Sequence, residues 1–218
     1  MMIRRFFKPI LLVSLASLLL VAAPVSAQRQ KAKPQPPRVF TFDATNSEIA
    51  ITLTQEGMIR RRYPTHRVLA KSFKAKIELP KDETKMTVEL EADAKQLTNV
   101  DDTMGDFERK EFHAALRNQV LEVDKFPTVK FTSVSVTNIQ RDGDKRSFTL
   151  TGDLTLHGTT RQVRFPVNAT ISEKELRATG EEKLKLSEFG LKPFEKGMGL
   201  IKVADELKVS FTVVAKTP

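Results

Sequence analysis

Cysteine is absent from all 218 residues of this chain, which removes disulfide staples, thiolate metal sites and cysteine nucleophiles together. Tryptophan is absent too; tyrosine occurs once and histidine three times, against fourteen phenylalanines. Its aromatic surface is therefore nearly free of polar handles. The histidines, His66, His113 and His157, lie in separate segments without HExxH or other paired metal-ligand spacing. No G-x-S-x-G occurs, and Ser47, Ser72, Ser133 and Ser187 stand in strand or loop contexts without a nucleophile elbow. The adjacent acids Asp101-Asp102 and Glu181-Glu182 read as solvated turns, and no phosphate-loop sequence surrounds Gly197 and Gly199. The chain is not expected to be an enzyme, and it implies no cofactor and no metal.

Long apolar runs are scarce as well. The one clear example, Ile10 to Ala23, follows Arg4, Arg5 and Lys8 and precedes the small residues Val25-Ser26-Ala27. That order reads as a secretory signal peptide over residues 1–27, with Gln28 as the first mature residue. The run is short for a membrane span, and no cysteine follows it to carry a lipoprotein anchor. A periplasmic or secreted location is expected. The formal charge is +9, but the signal peptide holds three of those positive charges, leaving roughly +6 on the rest. Acids and bases interleave along most of the chain, with Arg60-Arg61-Arg62 as the dense exception. Nucleic acid is not an expected partner; anionic envelope surfaces are.

Residues 28–38, QRQKAKPQPPR, read as a flexible tether, and residues 39–218 as one domain. Most of that domain alternates apolar and polar residues with the period of two that marks half-buried strands. Phe40 and Phe42 open it. Ile49, Ile51 and Leu53 follow, then Leu69, Phe73, Ala75, Ile77 and Leu79, then Met86, Val88, Leu90, Ala92 and Ala94. The period changes over Asp106 to Val120, where Phe112, Leu116 and Val120 recur every four residues; this predicts one helix, with Thr103 or Asp106 as N-cap. Pro127 then launches a strand whose alternation slips between Phe131 and Val134, the mark of a bulge. Phe148 to Leu156 and Val163 to Ile171 form a hairpin around His157-Gly158-Thr159-Thr160. A last strand carries Leu207, Val209, Phe211 and Val213. Eight to ten such strands suit either a sandwich or a closed barrel.

The wording of that hairpin, GDLTLHGTTRQVRFPV, resembles the signature of the YceI-like family. Phe42-Asp43-Ala44 with Asn46-Ser47-Glu48-Ile49, Leu121 through Phe131, and Leu186 through Leu191 with Leu207 to Lys216 resemble the same family. The resemblance spans about Phe40 to Lys216. It implies a mainly β fold, an antiparallel eight-stranded lipocalin-like β-barrel with one helix. It also implies a binding function toward long amphiphiles such as polyisoprenoids. The chain departs from the family at Asn46 and Gln55, where histidines are usual. The family's Arg-Asp-x-His-Leu segment before the helix is replaced by Glu108-Arg109-Lys110-Glu111-Phe112-His113.

The expected function is an exported protein that carries an amphiphilic lipid in an apolar cavity. Candidate lining residues are Phe42, Ile49, Ile51, Phe73, Met86, Val88, Leu90, Phe112, Leu116, Phe131 and Phe165, with Arg109 and His113 for the head group. The alternative is an envelope interaction module, a filled barrel that binds anionic envelope components through its basic surface.

Overall fold

The computed structural model describes residues 35–218; the segment read as a signal peptide and most of that read as a tether lie outside them. The first strand begins at Arg38, the residue assigned to the end of the tether. Twelve strands follow one another: β1 (Arg38–Phe42), β2 (Glu48–Gln55), β3 (Thr65–Ala70), β4 (Phe73–Leu79), β5 (Thr87–Asp93), β6 (Leu97–Asn99), β7 (Thr128–Asp142), β8 (Lys145–Leu156), β9 (Thr159–Ile171), β10 (Glu175–Lys185), β11 (Glu195–Lys196) and β12 (Ile201–Lys216). Helix α1 (Asp106–Ala115) stands between β6 and β7.

Eleven of the twelve reduce to eight arms, and the two-residue β11 pairs with β12 off the ring. β1 and β2 both run antiparallel to β12, Thr41 opposite Lys216 and Glu48 opposite Thr212, so they form one arm bent at residues 43–47. β3 and β4 pair with β2 and β1 in the same manner, and β6 and β5 pair with β3 and β4. Arms 38–55, 65–79 and 87–99 then lead through β7, β8, β9 and β10 to β12, each antiparallel to the next. The pairing of β12 with β1 and β2 closes the ring. The fold is a closed eight-stranded antiparallel meander, in which the short β6 is paired on one side only, to β3. The helix follows the third arm, one strand earlier than strand counting suggests, because β1 and β2 are halves of one arm.

Each bent arm changes inward parity at its bend. Odd residues Ile49, Ile51 and Leu53 face inward on β2, whereas even Phe40 is buried on β1. Even His66, Val68 and Ala70 face inward on β3, odd Ala75 and Ile77 on β4. Even Val88, Leu90 and Ala92 face inward on β5, odd Leu97 on β6. Reading Leu69 in phase with Phe73 is therefore wrong: Val68 is 2% exposed and Leu69 is only half-buried. β7 shifts register between Ser133 and Ser135, where the alternation slips. The freed Ser133 hydroxyl accepts the Val88 N–H at 2.8 Å, keeping the ladder to β5 satisfied.

Connections are unequal at the two ends. Residues 80–86, 143–144 and 172–174 close one end with short turns. Residues 56–64, 100–127 and 186–200 crowd the other, together with a two-residue turn between Leu156 and Thr159. In that turn His157 (φ 50°) and Gly158 (φ 72°) are both left-handed, as a type I′ hairpin requires. His157 reaches out of the turn, its Nε2 3.0 Å from Glu122 Oε2, and ties the hairpin to the segment after the helix.

Candidate functional site

Inward-facing side chains from all eight arms enclose a cavity of about 830 Å³, near the upper end for small-molecule sites. It runs from Glu195 and Lys196 at the long-loop end to Met86, Ile171, Leu176 and Val213 near the short-turn end. Phe40 (0% exposed), Leu79 (2%) and Ala215 (1%) are packed in the core of that far end. The barrel is not filled.

Part of the reason is a large–small alternation around half of the wall. Phe131 on β7, Gly152 on β8, Phe165 on β9, Gly180 on β10 and Phe211 on β12 follow one another across the sheet. The rings meet edge to face, with centroids 6.1 Å apart for Phe131–Phe165 and 5.6 Å for Phe165–Phe211, a favoured aromatic geometry. A Cβ on Gly152 would lie 2.3 Å from Phe131 Cζ, and one on Gly180 2.6 Å from Phe211 Cζ. The glycines let these rings lie against the wall instead of across the bore.

Helix α1 covers part of the mouth. Gly105 is its N-cap residue, in place of Thr103 or Asp106, and Glu108 reaches back to accept the Gly105 N–H at 2.8 Å. After Ala115 the helix widens into a single π turn, with Leu121 N–H bonded to Leu116 O at 2.9 Å across five residues. Phe112, Leu116, Gln119 and Val120 all face the cavity there.

The polar lining is confined to this end. Gln55, Tyr63, His66, Glu108, Glu111, Gln119, Glu195 and Lys196 surround the mouth, and the rest of the described lining is apolar. The Gln55 amide faces the main chain of Lys202 at 3.2 Å on both atoms; turned so that its NH2 meets O and its carbonyl meets N, it satisfies both groups. Tyr63 donates to Glu108 Oε1 at 2.8 Å. That bond, with burial, raises the phenol above its ordinary pKa of 10.0. The Gly105 N–H and then Tyr63 hold the Glu108 carboxyl below its ordinary 4.5. His66, 6% exposed, has Nδ1 2.9 Å from Asp101 Oδ2. Among the described residues, no three His, Asp or Glu side chains group as a metal site.

Of the residues proposed from sequence, Ile49, Ile51, Met86, Val88, Leu90, Phe112, Leu116, Phe131 and Phe165 line the cavity. Phe42 and Phe73 pack against each other at 4.2 Å between centroids and against the core, outside that lining. Arg109 and His113 are also outside it. Arg109 donates to the carbonyls of Asn99, Asp101 and Met104, and His113 Nε2 accepts the Asn99 N–H at 2.9 Å. Both fix the loop between β6 and α1. None of the eight polar lining residues was among those proposed from sequence; of them His66 carried a signal, since it lies two residues before Val68 on a period-two face.

Several solved structures share this fold. BcnA of Burkholderia cenocepacia is 19% identical, with a TM-score of 0.62 over 79% of this chain and 98% of its own. A polyisoprenoid binding domain from Saccharophagus degradans is 10% identical, with a TM-score of 0.59 over 82% and 98%. The Campylobacter jejuni YCEI protein is 16% identical, with a TM-score of 0.52 over 69% and 84%. No curated protein sequence matches the chain. The model of the YceI-like domain matches residues 40–215.

Proposed function

This chain belongs to the YceI-like family, and on that premise we propose that it is an exported carrier of a single amphiphilic lipid of polyisoprenoid type. The observation that carries the reading is the division of the cavity into an apolar shaft and a polar mouth. A hydrocarbon tail in the shaft is stabilised by about 0.8 kcal/mol per buried methylene, so ten methylenes supply roughly 8 kcal/mol before ordering costs. Such binding needs apolar area and not a particular residue. The polyisoprenoid binding domain of S. degradans, which shares the fold, supports the ligand class.

Native mass spectrometry of protein purified from its own envelope tests this. The expected spectrum shows a chain that begins at Gln28 and carries a non-covalent adduct, released as lipid by organic extraction. A bare chain whose emptied cavity also refuses long-chain alcohols would sink the carrier reading.

Exchange with an anionic membrane belongs to the same proposal. Among the described residues, the exposed large apolar side chains are Met58, Phe107, Val134, Met198 and Leu200. All but Val134 sit on the mouth segments. The loops bearing Met58 and Leu200 are joined by Ile59 N–H to Leu200 O at 3.3 Å, and Arg60, Arg61, Arg62, Lys192 and Lys196 are exposed beside them.

A further inference from the structure

His66 begins the inward face of β3 directly below the mouth. Its ring lies between Tyr63 (centroids 6.2 Å apart) and Phe112 on the helix (5.1 Å), and all three line the cavity. Asp101 fixes one side of the imidazole. Asp101 Oδ2 is 2.9 Å from His66 Nδ1 and accepts Asn99 Nδ2–H at 2.7 Å, while Oδ1 accepts the Arg67 main-chain N–H at 2.7 Å. A carboxylate surrounded by donors is acceptor-only, so His66 presents Nδ1–H to it and turns Nε2 elsewhere. The described residues give Nε2 no hydrogen-bond partner, yet it is not sealed away as Arg117 Nε is. Nε2 is thus an oriented polar atom on a buried ring in the cavity wall. The other buried polar residue of the lining, Gln55, is engaged with Lys202.

We propose that His66, oriented by Asp101, is the head-group subsite of the carrier and that it selects a ligand ending in a hydroxyl, an alcohol or a phenol. The inference rests on the carrier reading and adds the chemistry of the ligand's polar end. Nε2 is an acceptor when the ring is neutral and a donor when it is protonated, and a hydroxyl satisfies it in both states. A tail lying in the shaft brings its polar end to this height, level with Tyr63 and Phe112. An ether in the same place leaves the neutral Nε2 unpaired.

Delipidated protein is titrated with dodecan-1-ol and with dodecyl methyl ether, which share a tail and differ in the donor. The alcohol is expected to bind roughly fivefold to tenfold more tightly to the wild type, the range of one neutral hydrogen bond. In His66→Phe the ether should bind as before and the preference should vanish. Equal binding of the two probes to wild type, or a preference retained in His66→Phe, overturns the subsite and leaves the carrier reading standing. Failure of both probes to bind overturns both. Should His66→Phe not fold, wild-type protein answers the question through the ¹⁵N resonances of its three histidines. The His66 Nε2 signal must move on adding alcohol and stay still with ether; an unmoved signal under saturating alcohol overturns the proposal.

Discussion

At the scale of single residues, the histidines show how one side chain is given different tasks by its surroundings. His113 accepts a main-chain N–H through Nε2, so the folded state requires its neutral ring. Burial first, then the charges of Arg117 and Arg109, lower its pKa below the ordinary 6.5. The unfolded chain therefore takes up the proton first as pH falls, and stability declines from about pH 6.5 downward until the folded ring titrates too. The carboxylates act in a lower window. Hydrogen bonds from Lys216 and then Asn46 hold Asp43 down to about 2, so its contribution is full above the ordinary 3.8 and is lost as pH falls toward 2. We expect the melting temperature of wild type to drop between pH 7.5 and 5. In His113→Gln, whose amide oxygen can still accept the Asn99 N–H, that part of the curve should flatten. A drop of equal size in the variant would mean that another group titrates there.

At the scale of elements, the two glycines under the aromatic rings set the bore. In Gly152→Ala the new methyl group meets the Phe131 ring and also Thr132 O, which lies 2.7 Å from the Cβ position. A ring can tilt, but a main-chain carbonyl in a ladder cannot easily yield. The substitution should destabilise by about 1–3 kcal/mol, read from the urea midpoint, and narrow the shaft. An unchanged midpoint would mean that Phe131 does not lie over Gly152. Elements also explain what the sequence could and could not reveal. β8 and β9 keep one phase from end to end, so Phe148, Leu150, Phe165 and Val167 were legible as an inward face. The first three arms each lose phase at a bend; Thr45-Asn46 reads as a turn at the first, but no residue in 71–72 or Ala94–Gln96 announces the change. Taking the phase of β3 from Leu69 instead of Val68 put His66 on the outside and hid the oriented imidazole. Arg109 and His113 looked available because sequence shows a helix face but not the loop carbonyls and N–H groups that engage it.

At the scale of the molecule, alternation left sandwich and barrel equally open, and only the family resemblance selected closure. Closure depends on β12, already paired with β10, also reaching the split first arm, from Gln55 opposite Val203 to Thr41 opposite Lys216, a long-range pairing that no local pattern encodes. The same closure gathers the long loops at one end, so apolar Met58, Phe107, Met198 and Leu200 share a rim with exposed arginines and lysines. Apolar side chains flanked by bases suit the surface of an anionic bilayer: the charges attract from about a Debye length away, and the apolar groups then insert. Wild-type protein should co-sediment with vesicles containing phosphatidylglycerol more than with phosphatidylcholine alone, and less so as salt rises. Met58→Ser with Met198→Ser should remove much of the binding that persists in high salt. Replacing Arg60, Arg61 and Arg62 by serine should remove the salt-sensitive part and leave the melting temperature nearly unchanged, since exposed charges contribute under about 1 kcal/mol each. Neither set of changes touches the shaft, so lipid content after purification should match wild type. Equal co-sedimentation of all three proteins would show that the mouth is not the membrane-facing end, and lipid exchange would then have to occur without contact between this rim and a bilayer.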